Sequence, residues 1–239
     1  MILKKKNTKF KPLYKKLINL RENVLNRKKV LKFHKKKWGK FIHFYKRKLK
    51  WYRKFKPNNQ DLYVVSKHPN KYTAYKKNFK NTLQAYKALK LFLGNTQKKV
   101  LKYAILKAKN KKNKSINKTF IELLEKRLDM VLYRSKFCHS VRNAQQFISH
   151  GRVLVNDRIV KSKYYNLNMG DLISIKPKYY KQFESNIRKA IHWPIPPKHL
   201  TINYRTMQIV FGDIKNSNSS TLFLFNLNLE KVLIDFNKQ

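Results

Sequence analysis

Across 239 residues the chain carries 58 Lys and Arg against 11 Asp and Glu, a formal net charge of +47, which calls for a polyphosphate partner. Hydrophobic residues make up 42% of the chain and its Trp, Tyr and Phe number 3, 14 and 15, so a packed core must exist and wholesale disorder is excluded. Cys138 is the sole cysteine, which rules out an internal disulfide and a cysteine-rich zinc site, and no apolar run reaches the roughly 18 residues of a membrane span.

The charge is unevenly spread. Residues 1 to 118 hold 39 Lys and Arg against Glu22 and Asp61 alone, whereas residues 119 to 239 hold 19 against 9. Self-repulsion in the first half opposes a compact free state and predicts ordering against counter-charge. Basic blocks with aromatic punctuation fill residues 3 to 56, as in Lys35-Lys36-Lys37-Trp38 and Trp51-Tyr52-Arg53-Lys54. Cations there can neutralise phosphates while rings stack on bases or pack under lysine stems. A basic helix lying on anionic lipid is the lesser reading of residues 11 to 50. Pro57-Asn58-Asn59 and His68-Pro69-Asn70 then break the segment.

From Tyr75 to Lys109 the apolar spacing predicts two helices, with Leu83, Tyr86, Leu89 and Phe92 as one stripe and Val100, Tyr103, Ala104 and Leu106 as part of another. Gly94-Asn95-Thr96 is the turn between them, and Lys107 to Lys118 reads as a basic loop. Thr119-Phe120-Ile121-Glu122 has the form of a capping box, predicting a helix that buries Ile121, Leu124, Leu128, Val131 and Leu132. Ser140 caps the next helix, whose apolar face is Val141, Ala144, Phe147 and Ile148 and which Gly151 ends. Two short strands, Arg152 to Val155 and Arg158 to Lys161, meet at Asn156-Asp157, residue types that tolerate the left-handed backbone of a tight hairpin. Gly170-Asp171 leads into a strand at Leu172 to Lys176, alternation returns over Leu200 to Val210, and the chain closes on an apolar stretch, Leu222 to Phe236. Cys138, beside Phe137 and without an activating His and carboxylate pair, reads as a small buried apolar group.

Residues 127 to 176 resemble the RNA-binding module of the small-subunit ribosomal protein four family. The likeness rests on the Arg127-Leu128-Asp129 opening, the Phe137 to Ser140 cap, the Ala144 to Gly151 helix end, the Val155-Asn156 hairpin and the Gly170-Asp171 strand start, all in order. The segment Tyr86 to Gln97 is similar to the family's helical lead-in, Leu227 to Lys238 to its closing segment, and Lys198 to Phe211 to its mitochondrial version. The resemblance implies a non-enzymatic primary binder of small-subunit rRNA that helps nucleate the five-prime domain and lies near the side where mRNA enters. It also implies neighbouring small-subunit ribosomal proteins as partners, with no cofactor, metal or membrane. The module recurs in pseudouridine synthases and tyrosyl-tRNA synthetases, so an RNA-modifying or regulatory factor is the alternative. Only 63 residues follow Lys176, too few for a synthase domain, and no nucleotide-binding motif stands upstream.

The expected fold is α+β: a basic extension over residues 1–74, a helical domain over 75–126 completed by 226–239, and an RNA-binding module over 127–225 with its core at 127–176. RNA contacts are expected at Arg127, Arg134, Lys136, Ser140, Arg142, His150, Arg152, Arg158, Lys161 and Lys163, and in the extension at Lys35, Lys36, Lys37, Arg47, Arg53 and Lys54. Arg127 has an alternative as an ion-pair partner of Asp129 or Glu125, and His150 as a helix-end cap. Where the family usually places arginines, this chain has Val141 and Gln145, and where the family hairpin has Gly it has Asp157. The A/T-type codon bias behind 47 Lys and 11 Arg, together with the Lys-rich start, predicts an organelle-encoded mitochondrial protein, with a plastid as the alternative.

Overall fold

The computed structural model describes residues 13–20, 24–25, 39–40, 42–43, 75–111, 115–189, 196–214, 223, 229 and 232–233. Among the described residues the α-helices with defined bounds are, in chain order, α1 (Leu13–Leu20), α2 (Tyr75–Phe92), α3 (Lys98–Lys109), α4 (Ile116–Glu125), α5 (Leu128–Arg134), α6 (Val141–Ser149) and α7 (Tyr180–Lys189). Strands β1 (Val153–Val155), β2 (Arg158–Ile159), β3 (Leu172–Ile175), β4 (Leu200–Asn203) and β5 (Gln208–Phe211) form one antiparallel sheet in the order β2-β1-β3-β5-β4. The fold is α+β, with α1 to α6 ahead of the sheet and α7 between β3 and β4.

Two apolar cores organise these elements. The first gathers Leu17 and Val24 from the amino-terminal segment, Leu89, Phe92 and Leu93 around α2, Leu101 and Ile105 of α3, and Phe120 and Leu124 of α4. Phe223, Leu229, Val232 and Leu233 from the closing stretch join the same cluster. The second core lies under the sheet, where alternation sends Val153, Val155, Ile173, Ile175, Ile209 and Phe211 to one face against Ala144, Phe147, Ile148 and Phe183. Helix α5 belongs to both: Met130 and Tyr133 enter the first core, and Leu128, Val131 and Leu132 enter the second. A helix apolar on every side is buried on every side, and α5 has no solvent face among its first six residues.

Several expectations need correction. In α3 the buried stripe is Leu101, Ile105 and Ala108, while Tyr103 is 66% and Leu106 47% exposed. Both stripes are apolar, so periodicity alone cannot choose between them; packing on α4 does. Thr119 is not an amino-terminal cap, because α4 starts at Ile116 and the Thr119 hydroxyl, one turn in, donates to the Ser115 carbonyl at 3.0 Å. The continuous helix expected through Leu132 breaks at Arg127, whose backbone is extended (φ −74, ψ 134). Here the Leu128 amide donates to the Tyr165 carbonyl and the Leu167 amide to the Lys126 carbonyl, with Arg127 bridging Asn166. That tertiary ladder replaces helical bonds, and no Gly or Pro announces it.

Local readings further on match. The Ser140 oxygen accepts from the Asn143 amide at 3.2 Å. Gly151 (φ +64) closes α6 with its amide on the Ile148 carbonyl and the Arg152 amide on the Phe147 carbonyl, a Schellman arrangement. Asn156 (φ 48) and Asp157 (φ 61) make the left-handed two-residue turn between β1 and β2. Cys138 is fully buried, and burial pushes its thiol well above the usual range.

Candidate nucleic-acid interface

Five of the expected contacts stand exposed on the module. Arg142 lies in the first turn of α6 and His150 at its end, while Arg158, Lys161 and Lys163 follow the hairpin. The hairpin is held rigidly. Asn156 donates to the Asp171 carboxylate at 2.9 Å and accepts from the Leu172 amide at 2.9 Å, and Asp171 accepts from the Asn168 amide at 2.7 Å. Asn156 and Asp171 therefore brace the edge that the cations decorate.

The other expected contacts point inward. Arg127 forms a two-pronged pair with Asp129, Nε to Oδ1 at 3.0 Å and Nη2 to Oδ2 at 2.6 Å, with its guanidinium 4.8 Å from the Tyr164 ring centroid. Arg134 grips Glu125 at 2.8 Å, and both side chains are at least 89% buried. Burial works against the Arg134 charge, but the Glu125 carboxylate more than offsets it and holds the guanidinium above its ordinary range. These two arginines have carboxylate partners within the fold, so their expected place on an RNA-facing surface is corrected to a structural one. Lys136, at φ 70, is 9% exposed, and burial followed by the nearby Arg134 charge pulls its ammonium down to about 8. Ser140 is buried as the cap of α6.

Arg152 is half-buried and its guanidinium is sandwiched between Phe147 at 5.0 Å and Tyr179 at 4.7 Å, with Gln182 accepting from Nη1. It fastens α7 to α6. The two positions where the family has arginine also face inward: Val141 is buried in the first core, and Gln145 is buried with its Nε2 donating to the Leu93 carbonyl at 3.0 Å and to Asp129 at 2.8 Å. Neither was a surface position to lose. Lys35, Lys36, Lys37, Arg47, Arg53 and Lys54 lie outside the described residues.

Two cations escaped the sequence reading. Burial, then the charges of Arg142 and Lys90, hold the Lys16 ammonium below the usual lysine range. A stripe reading of α1 around Leu17 and Leu20 could have found Lys16. Among the described residues no group of three His, Cys, Asp or Glu could hold a metal ion, and no helix is long and apolar enough to cross a membrane.

The helix pair, braced hairpin and sheet define an RNA-binding module of the S4 type: residues 126–173 match the family model described as the S4 domain. Wider matches reach past the module. The chain is 30% identical over 187 residues to the small ribosomal subunit protein uS4m of Reclinomonas americana, covering 73% of each chain. It is 36% identical over 136 residues to uS4m of Marchantia polymorpha, covering 55% of this chain and 67% of that one. To uS4 of the bacterium Nitrobacter winogradskyi it is 35% identical over 126 residues, covering 53% and 61%. The chain belongs to the small ribosomal subunit protein uS4 family. These relatives are ribosomal proteins by name, and the chain is not an enzyme.

Proposed function

We propose that this protein is a structural constituent of the small subunit of a mitochondrial ribosome, where it binds small-subunit rRNA and touches neighbouring ribosomal proteins. The observation that carries the reading is the match to a mitochondrial uS4m over 73% of both chains, which extends well beyond the RNA-binding module. In the finer reading it docks early, helps nucleate the five-prime domain and sits near the side where mRNA enters. In this reading residues 127–225 grip RNA, residues 75–126 with 226–239 form the helical body, and residues 1–74 add diffuse phosphate contacts, although Leu17 and Val24 of the last segment also pack in the first core.

Within the module, Arg142, His150, Arg158, Lys161 and Lys163 are the contacts supported by exposure, and structured RNA is met through its backbone and 2′-hydroxyls. Replacing Arg142, Arg158 and Lys161 together with Ala is expected to weaken binding to the cognate rRNA junction by about 3 to 6 kcal/mol, at roughly 1 to 2 for each charge-assisted bond. A filter-binding titration measures this, and unchanged affinity would turn the hairpin edge toward protein or solvent. Fractionation tests the constituent against the rival factor: a constituent stays with the small subunit through a high-salt wash, and release into the supernatant favours an RNA-modifying or regulatory factor. Purification from mitochondria rather than plastids tests the compartment.

A further inference from the structure

We infer that the outward face of α3 is a base-stacking platform, where Tyr103 and Leu106 take an unpaired rRNA nucleobase while Lys99, Lys102 and Lys107 hold the phosphates around it. This deepens the rRNA-binding reading above and rests on it. The placement follows from the helix. Leu101, Ile105 and Ala108 are at most 1% exposed and fix one side of α3 in the first core, which turns the opposite side to solvent. On that outer side Tyr103 is 66% and Leu106 47% exposed, and Lys99, Lys102 and Lys107 are exposed as well. Leu106 lies three residues beyond Tyr103, with Lys99 four before it and Lys107 four after, spacings at which helical side chains are surface neighbours. The two lysines straddle the ring, each about 6 Å from it along the helix axis.

A ring and a leucine left in water inside a collar of lysines select their occupant by chemistry. The apolar centre of a protein interface is depleted of Lys, so a protein neighbour suits this face poorly. An RNA strand suits it well: the sequence has no Asp or Glu between Asp61 and Glu122, so α3 and the chain on both sides of it offer phosphate nothing but cations and neutral groups. Duplex RNA is the lesser match, because its bases stack on one another and a ring standing up from a helix cannot enter the deep, narrow groove. An unpaired base presents its flat face, and an aromatic side chain can stack there whatever the base is. Selection by this platform is therefore positional. It reads where a folded junction leaves a nucleotide unstacked, not which nucleotide that is.

Full-length Tyr103→Phe, Tyr103→Leu and K99Q/K102Q/K107Q proteins separate ring from charge. Affinity for a five-prime-domain fragment of small-subunit rRNA is measured across a salt series, beside an unrelated RNA of equal length. Tyr103→Phe is expected to bind within about twofold of the wild type, and Tyr103→Leu to lose about tenfold at an unchanged salt slope, since a stacked base is held without counter-ion release. The lysine variant is expected to lose affinity with a slope shallower by about two. Selective binding by the wild type with full affinity in Tyr103→Leu overturns the platform and leaves the rRNA reading standing. Equal losses in the Phe and Leu variants overturn it too, by assigning the effect to the hydroxyl. Undiminished RNA affinity in every variant, with loss of the Leu variant from assembled small subunits, makes the face a protein contact and overturns it likewise. Wild-type binding no better than to the unrelated RNA overturns both readings. Thermal unfolding checks that the variants fold. Photocrosslinking of the wild-type complex gives a second measurement that needs no variant: Tyr103 is expected to join to one unpaired base, and crosslinks confined to other aromatic residues overturn the inference.

Discussion

Gln145 holds more of the structure than its surface neighbours do. Its amide joins Asp129, already bound to Arg127, to the Leu93 carbonyl, so one side chain ties the two cores together. Gln145→Ala would remove one of two donors from Asp129 Oδ2, which keeps Arg127 Nη2, and from the Leu93 carbonyl, which keeps the Thr96 hydroxyl, and is expected to cost about 1 to 3 kcal/mol of stability, read from a urea midpoint. A loss under about 0.5 kcal/mol would mean that water replaces the amide without penalty. His199 offers a pH readout. It is 4% exposed, lies edge-on to Phe211 with ring centroids 5.9 Å apart, and has no hydrogen-bond partner for either ring nitrogen among the described residues. Burial lowers its pKa, with Glu125 pulling the other way and Arg134 adding to the lowering. The folded state then binds fewer protons than the unfolded one, so stability is full above the unfolded value near 6.5 and falls as pH drops through the folded one. Denaturation at pH 7 and pH 5 is expected to show this loss in the wild type and a smaller loss in His199→Phe. Equal losses would assign the acid sensitivity to other groups.

At the scale of elements, what could be read in advance was what is encoded locally. Ser140, Gly151 and Asn156-Asp157 set the start of α6, its end and the hairpin through their own backbone and side-chain chemistry, and each does so in the structure. The break at Arg127 is different in kind, because its hydrogen bonds come from residues 165–167, nearly forty positions away. The Arg134 pair with Glu125 likewise spans that break, so no helical spacing reveals it. Helix α7 went unread, although Pro177 at the start of the short 3-10 turn before it is a legible opening signal. The proposed interface follows the same rule: Arg142, His150 and Arg158 sit exposed on locally encoded motifs, whereas the tertiary arrangement takes Arg127 and Arg134 into carboxylate pairs. The hairpin gives a prediction of its own. Asp157 sits at φ 61, a conformation that costs a residue with a side chain roughly 1 kcal/mol relative to Gly. Asp157→Gly is expected to raise stability by about 0.5 to 1 kcal/mol, measured by thermal unfolding, and to tighten RNA binding by removing a negative charge beside Arg158. Looser binding would place Asp157 in a contact rather than in a turn alone.

For the molecule as a whole, the amino-terminal segment is more than a charged arm. Leu17 and Val24 are each 1% exposed within the first core, so part of residues 1–74 belongs to the helical body. Deleting residues 1–56 would remove these anchors along with the charge, at about 1.5 to 3 kcal/mol for each buried side chain. Neutralising Lys35, Lys36, Lys37, Arg47, Arg53 and Lys54 to Gln separates the two effects. That variant is expected to keep the wild-type melting temperature and to bind rRNA with a shallower salt dependence, whereas the deletion lowers the melting temperature as well. An unaltered slope in the Gln variant would deny the extension a role in phosphate binding.

Helix α5, with apolar side chains on all flanks, dictates an order of events during synthesis. Residues 128–134 leave the ribosome exit long before their packing partners Phe211, Ile214, Val232 and Leu233 exist. A nascent chain therefore cannot close either half of its interior until residues 211–233 have been made, because each cluster joins residues far apart in sequence. Transcript and polypeptide would then meet while the protein is still plastic, so that assembly and folding become one process.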